Sequence, residues 1–196
     1  EEDLVAFWEL PSALTGSDEE RTSVAHFVEQ PTPVGVLKVD VDLRFRSSLE
    51  PSRVYRERHV IAIVKAYTDL LARHTTEDPP TFYLFERPDV FVNRAGGVSD
   101  GFHLMAPDVV HTKEFLLYLR EKVVERLEET GALEDLDATN PIKDAIDEAV
   151  VARNGWFVYG SGKPDKPPYR LTARIGADGA LERVGEAAYG EPRDLV

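Results

Sequence analysis

No cysteine occurs in the 196 residues, which excludes disulfides, thiolate zinc sites and cysteine nucleophiles and agrees with a reducing compartment. Positive charge is also scarce. With 23 basic against 36 acidic residues and a net charge of -13, the chain cannot hold nucleic acid by bulk electrostatics, so any such contact must be local. Two places offer one: Arg44, Arg46, Arg53, Arg56 and Arg58, and further on Lys163, Lys166 and Arg170. Long apolar runs are missing as well; none approaches the roughly 18 to 20 residues that span a bilayer, and no signal-peptide pattern opens the chain. The expectation is a soluble, intracellular protein without a membrane partner. Repeats are absent. Residue 1 is Glu rather than Met and Val196 carries no evident cap, so the expectation is a piece of something longer.

What is present suffices for one domain, or for two small modules sharing a core, since 42% of the residues are hydrophobic. Alternation from Pro33 to Arg46 predicts a strand centred on Val39-Asp40-Val41-Asp42. A helix is predicted from Ser52 to about His74, with Val60, Ile63, Val64, Tyr67, Leu70 and Leu71 on its apolar side and Asp78-Pro79-Pro80 behind it. Thr81–Phe85 reads as a strand, Arg94–Gly97 as a turn, and Gly101–Ala106 as a strand stopped by Pro107. A second helix runs from Thr112, its N-cap, to Thr130, with Gly131 as its stop. Leu133–Asn140 is an acidic loop, and Asn140-Pro141 opens a short helix reaching about Arg153. Two strands, Trp156–Tyr159 and Tyr169–Ile175, flank a loop of small residues and lysines from Gly160 to Pro168. Without a clean βαβ series, the class expected is α/β of the α+β kind, with a mixed sheet rather than a doubly wound parallel one.

Three constellations carry chemistry. A strand's period of two aims Asp40 and Asp42 the same way, and two anions that close ask for a cation or for hydrogen bonds. Hard oxygen ligands select Mg²⁺ or Mn²⁺; a half-exposed strand with an acidic, solvated face is the plainer alternative. His103 points away from Phe102 and Leu104, either as a core histidine satisfied by a carbonyl or as a donor to a phosphate. Gly160-Ser161-Gly162-Lys163 lacks the spacing and the following helix of a Walker loop, which excludes a P-loop. It remains either an ordinary hairpin loop or a turn whose amides, hydroxyl and ammonium suit a triphosphate.

Taken in order, Asp40-Val41-Asp42, Gly101-Phe102-His103, Ile146-Asp147, Asn154-Gly155 and Gly160-Ser161-Gly162-Lys163 resemble the archaeo-eukaryotic primase superfamily. The likeness covers about residues 34 to 175 and is closest to the primase-polymerase domain of D5-like primase-helicases from viruses, phages and plasmids. The resemblance implies a single catalytic domain over residues 1–196, of two interlocked modules, one similar to an RNA-recognition-type sheet. It further implies a DNA primase with two Mg²⁺ or Mn²⁺ ions on Asp40, Asp42 and Asp147. Arg44, His103, Ser161 and Lys163 would contact the nucleotide, and Arg46, Lys166 and Arg170 the DNA. The implied partners are single-stranded DNA, nucleoside triphosphates and a C-terminal helicase domain in the same chain; a viral source would put it in the host cytoplasm or nucleus. Gly101 stands where the family often has Ser, and Trp156-Phe157 where it often has Leu-Arg. Two rivals stay open: a non-catalytic DNA-binding initiator module of a helicase, and a glycosyltransferase, which also holds a metal-nucleotide on Asp-x-Asp.

Overall fold

The computed structural model describes residues 28–46, 52–76, 78–92, 97–163 and 166–184. After the short β1 (Val28–Glu29) comes β2 (Val34–Phe45), whose alternation sends Leu37, Val39, Val41 and Leu43 into the core and Lys38, Asp40, Asp42 and Arg44 to the other face. Next in the chain stand α1 (Glu57–His74), β3 (Phe82–Glu86), β4 (Phe91–Val92) and β5 (Val98–Thr112). They are followed by α2 (Lys113–Thr130), α3 (Ile142–Ala145), β6 (Ile146–Asp147) and α4 (Ala149–Ala152). The last elements are β7 (Trp156–Phe157), β8 (Arg170–Ile175) and β9 (Leu181–Arg183).

The main sheet runs β6-β2-β5-β3-β8-β9, with β4 paired to the start of β5, and β1 and β7 form a separate two-stranded ribbon. All of these pairings are antiparallel. The helices α1 and α2 cover one face, where Val60, Ile63 and Tyr67 and then Leu119, Val123 and Leu127 meet Val39, Val41, Phe82, Leu84, Phe102 and Leu104. Each large side chain buried there contributes about 1.5–3 kcal/mol. The expected α+β class is the one observed, although the sheet is antiparallel throughout the described strands rather than mixed. The two faces of the sheet thus divide the work: one is sealed by helices, and the other keeps its polar side chains for the ribbon and the loop before β8.

Several boundaries differ from the sequence expectation, each for a physical reason. Helix α1 begins at Glu57 rather than Ser52, because residues 53–55 are tied to the end of the sheet: Val54 N donates to Asp100 Oδ2 at 3.0 Å and Tyr55 Oη to Glu86 Oε1 at 2.8 Å. Strand β5 runs past Pro107, and the chain accommodates the missing N–H by a bulge. The register steps from Leu37↔Ala106 to Val36↔Val110 while Val109, 3% exposed, turns into the core. Helix α2 keeps both predicted ends, with Phe115 N donating to Thr112 Oγ1 and Gly131 at φ 63°. The strand expected over Trp156–Tyr159 shrinks to Trp156–Phe157 and pairs with β1, outside the main sheet. The turn expected at Arg94–Gly97 lies outside the described residues apart from Gly97.

The largest correction concerns residues 140 to 153. Instead of one helix there are two single turns, α3 and α4, separated by β6. Arg120, on α2, donates from Nε to Ile146 O at 2.9 Å, so that carbonyl is satisfied without a continuing helix, and Asp147 pairs with Asp40. Asn140 clamps the sheet edge: its Oδ1 accepts from Arg44 N at 2.9 Å and its Nδ2 donates to Asp42 O at 2.8 Å.

Candidate functional site

The uncovered face is assembled by register. Asp40 on β2 stands opposite Asp147 of β6 on one side and opposite His103 of β5 on the other, and Asp42 stands opposite Gly101. Three carboxylates and an imidazole from three strands therefore share one patch, although Asp147 is more than 100 residues from Asp40 in sequence. Gly101 has a steric reason to be glycine, since a Cβ there would meet Val41 O at 2.1 Å.

Asp40 is the electrostatic centre. Burial, reinforced by the charges of Asp42 and Asp147, pushes its carboxyl up to about 7, while Arg87 and Lys163 pull the other way. Its Oδ1 is buried with no hydrogen-bond partner among the described residues; His103 Nε2 lies 3.4 Å away, out of hydrogen-bond alignment. Burial, and then the cations Arg87 and Lys163, push His103 down to about 3, so the imidazole is neutral at physiological pH. It is held between aromatic rings, stacked on Tyr169 at 3.6 Å and tilted against Trp156 at 4.4 Å. With 12% of its side chain exposed, His103 is neither sealed in the core nor free to swing.

A cation would relieve what the protein leaves unsatisfied here: an orphaned carboxylate oxygen beside two more anions. The donor set is hard oxygen, the chemistry of Mg²⁺ or Mn²⁺ rather than of zinc. Asp42 is exposed, whereas Asp147 Oδ1 accepts from Ala149 N at 2.9 Å. Among the described residues no three His, Asp or Glu side chains close on one point as a finished cage. The patch is an open acidic face on neighbouring strands rather than a closed cage.

The remaining candidate residues divide in two. Ser161 is buried and its amide donates to Val158 O at 2.8 Å, while Lys163 is exposed and close enough for its charge to reach Asp40 and His103. Lys166 lies 3.8 Å over the Phe91 ring, within the field of Asp42. Arg44 and Arg46 are exposed, Arg44 on the same face as Asp42 and Arg46 just beyond the end of β2. Arg170 stands apart, on β8, with β5 and β3 between its strand and β2. Part of the first basic cluster is already committed, Arg53 to Glu86 at 2.6 Å and Arg58 to Asp135.

Two residues that sequence reasoning passed over belong to the patch. Arg87 follows β3 directly, lies 4.0 Å over the Tyr169 ring and supplies the first opposing charge to Asp40. Tyr169 forms the floor under His103. Their only sequence signal is position, at the end of one strand and the start of another, and it becomes legible only once β3 is known to pair with β5 at Phe85↔His103.

A protein of Acanthamoeba polyphaga mimivirus named as a candidate helicase, L207/L206, is 25% identical over 152 residues, which are 75% of this chain and 15% of that protein. The chain therefore spans only a small part of the length of this curated relative. No helix among the described residues is long and apolar enough to cross a membrane. The profile of the C962R protein N-terminal AEP domain matches residues 1–175. The chain belongs to that family, a branch of the archaeo-eukaryotic primases.

Proposed function

We propose that this chain is the catalytic domain of a DNA primase, a template-directed nucleotidyltransferase that joins nucleotides on single-stranded DNA during replication of a virus-like genome. The observation that supports this reading most is the unsatisfied Asp40 carboxylate, set between Asp147 and His103 with Asp42 on the same face. Two divalent ions on Asp40, Asp42 and Asp147 would supply activation of the attacking 3′-hydroxyl and neutralisation of the leaving pyrophosphate. The chain's own residues do the rest. Neutral His103, fixed between Trp156 and Tyr169, offers a hydrogen bond to a phosphate oxygen without adding charge. Lys163, the Ser161 turn and Arg44 hold the triphosphate in line, and Arg46, Lys166 and Arg170 meet the DNA backbone. The proposal includes one catalytic domain of two interlocked modules, continued by a helicase portion of the same polypeptide.

The test is primer synthesis on single-stranded DNA with Mg²⁺ or Mn²⁺, comparing the parent with Asp42→Ala. A loss of about two to three orders of magnitude in rate is expected, the cost of removing one strong transition-state contact. Undiminished synthesis by the variant would overturn the assignment. A parent that binds DNA without incorporating nucleotides, and binds equally well as Asp42→Ala, would mark an initiator module instead.

A further inference from the structure

Beyond the carboxylate face, the ends of β3 and β8 frame a second feature, a cleft of about 390 Å³ lined by Arg53, Arg87 and Arg170 together with Pro88, Pro167 and Pro168. That size suits a nucleotide-scale ligand. The charge balance inside favours an anion. Glu86, the one acid lining the cleft among the described residues, already accepts from Arg53, Tyr55, Thr172 and Arg183, so its charge is spent within the protein. Arg87 and Arg170 have no carboxylate partner within ion-pair reach among the described residues, in a chain carrying 36 acidic residues.

Two of the arginines are also held in place. Arg87 Nε donates to Pro167 O at 3.1 Å, its guanidinium lies over Tyr169, and its carbonyl accepts from Arg53 Nη2. Arg53 is fixed in turn by Glu86 at 2.6 Å. Arg53 is therefore spent on Glu86 and on the backbone, and it braces Arg87, whose prepositioned guanidinium loses little side-chain freedom on meeting a phosphate. Arg87 belongs to both places: it lines the cleft and its charge reaches Asp40 and His103. A ligand in the cleft would carry negative charge where it meets Arg87 and Arg170, as a nucleic-acid backbone does.

We propose that this cleft binds a backbone phosphate of single-stranded DNA, held between Arg170 and Arg87, so that the strand passes Arg87 toward Asp40. The strand's identity rests on the polymerase reading; the anion site rests on the cleft itself. The test is fluorescence anisotropy of a labelled single-stranded oligonucleotide, and separately of a labelled nucleoside triphosphate, in EDTA over about 50 to 200 mM salt. Arg170→Ala should weaken oligonucleotide binding several-fold at low salt and flatten the log–log salt slope by about 0.7, the value for one lost single-strand phosphate contact. Arg170→Lys should keep the slope, and Arg174→Ala, whose side chain pairs with Glu182 at 2.9 Å, should match the parent. An oligonucleotide slope unchanged in Arg170→Ala overturns the proposal, and so does a loss confined to the triphosphate. Strand binding through Arg170 by a protein that incorporates no nucleotide would refute the polymerase reading and keep the cleft; incorporation with an unaltered slope would refute the cleft alone.

Discussion

Glu86 and Asp40 lie in the same sheet, both largely withdrawn from water, and meet opposite fates. Burial works to raise both carboxyls. At Glu86 it is outweighed by hydrogen bonds from Thr172 and Tyr55 and by Arg53 and Arg183, and the group ends below its ordinary range. At Asp40 the neighbours are Asp42 and Asp147, one oxygen has no partner, and the group rises to about 7. A saturated buried acid joins Tyr55 and Arg53, ahead of α1, to β8 and β9 and has no capacity left for a ligand. An unsaturated one keeps an oxygen without a protein partner among the described residues, which makes it the candidate for a ligand. Glu86 is thus a structural carboxylate, and Asp40 is the candidate for a functional one.

The contrast can be broken most forcefully at Glu86. Glu86→Ala leaves Arg53 and Arg183 without their shared anion and should cost about 3–5 kcal/mol in denaturant unfolding. Asp40→Asn should unfold no more easily than the parent while abolishing nucleotide incorporation; if it destabilised as much as Glu86→Ala, the two acids would be of one kind. Acid sharpens the difference through its sign. Asp40, with a folded value near 7 against an ordinary 3.8, contributes stability that is complete below about 4 and is lost as pH rises through 7. Glu86, lowered from 4.5, contributes stability above its ordinary value that is lost as pH falls through its folded one. Melting in EDTA should therefore show Asp40→Asn gaining on the parent between pH 4 and pH 8, by on the order of a few kcal/mol. A constant offset across that range would count against the shift. The smallest effect is expected at the ring floor: Tyr169→Leu removes the stack on His103 and should cost about 1 kcal/mol in stability, while raising the KM for nucleotide more than it lowers kcat.

Elements that follow local rules were legible before any coordinates. The alternation about Asp40 and Asp42 produced β2 within one residue at each end, and Thr112 and Gly131 bounded α2 because capping is a contact between near neighbours. The partnership of Asp147 was legible only through the primase resemblance. Its local sequence reads as helix, and the break at β6 depends on Arg120 and on the β2 edge, both distant in the chain. The hairpin from β8 to β9 went unread although Asp178-Gly179 is a turn signal; Gly179 takes φ 82° and Gly176 N bonds to Ala180 O at 3.0 Å. With three residues, β9 is too short for its alternation to register. Arg87 and Tyr169 were invisible for the reason that hid Asp147: strand pairing, not strand formation, brings them to the site.

The central claim is that Asp40, Asp42 and Asp147 form a cation site for a nucleotide. Its most direct measurement is Mn²⁺ binding, followed by electron paramagnetic resonance at pH 8 with a nucleoside triphosphate present, for the parent, Asp40→Asn and Asp147→Asn. The parent should take up Mn²⁺, and each variant should bind it at least about tenfold more weakly, as expected when one carboxylate ligand is lost. Equal Mn²⁺ affinity in all three proteins would contradict the account.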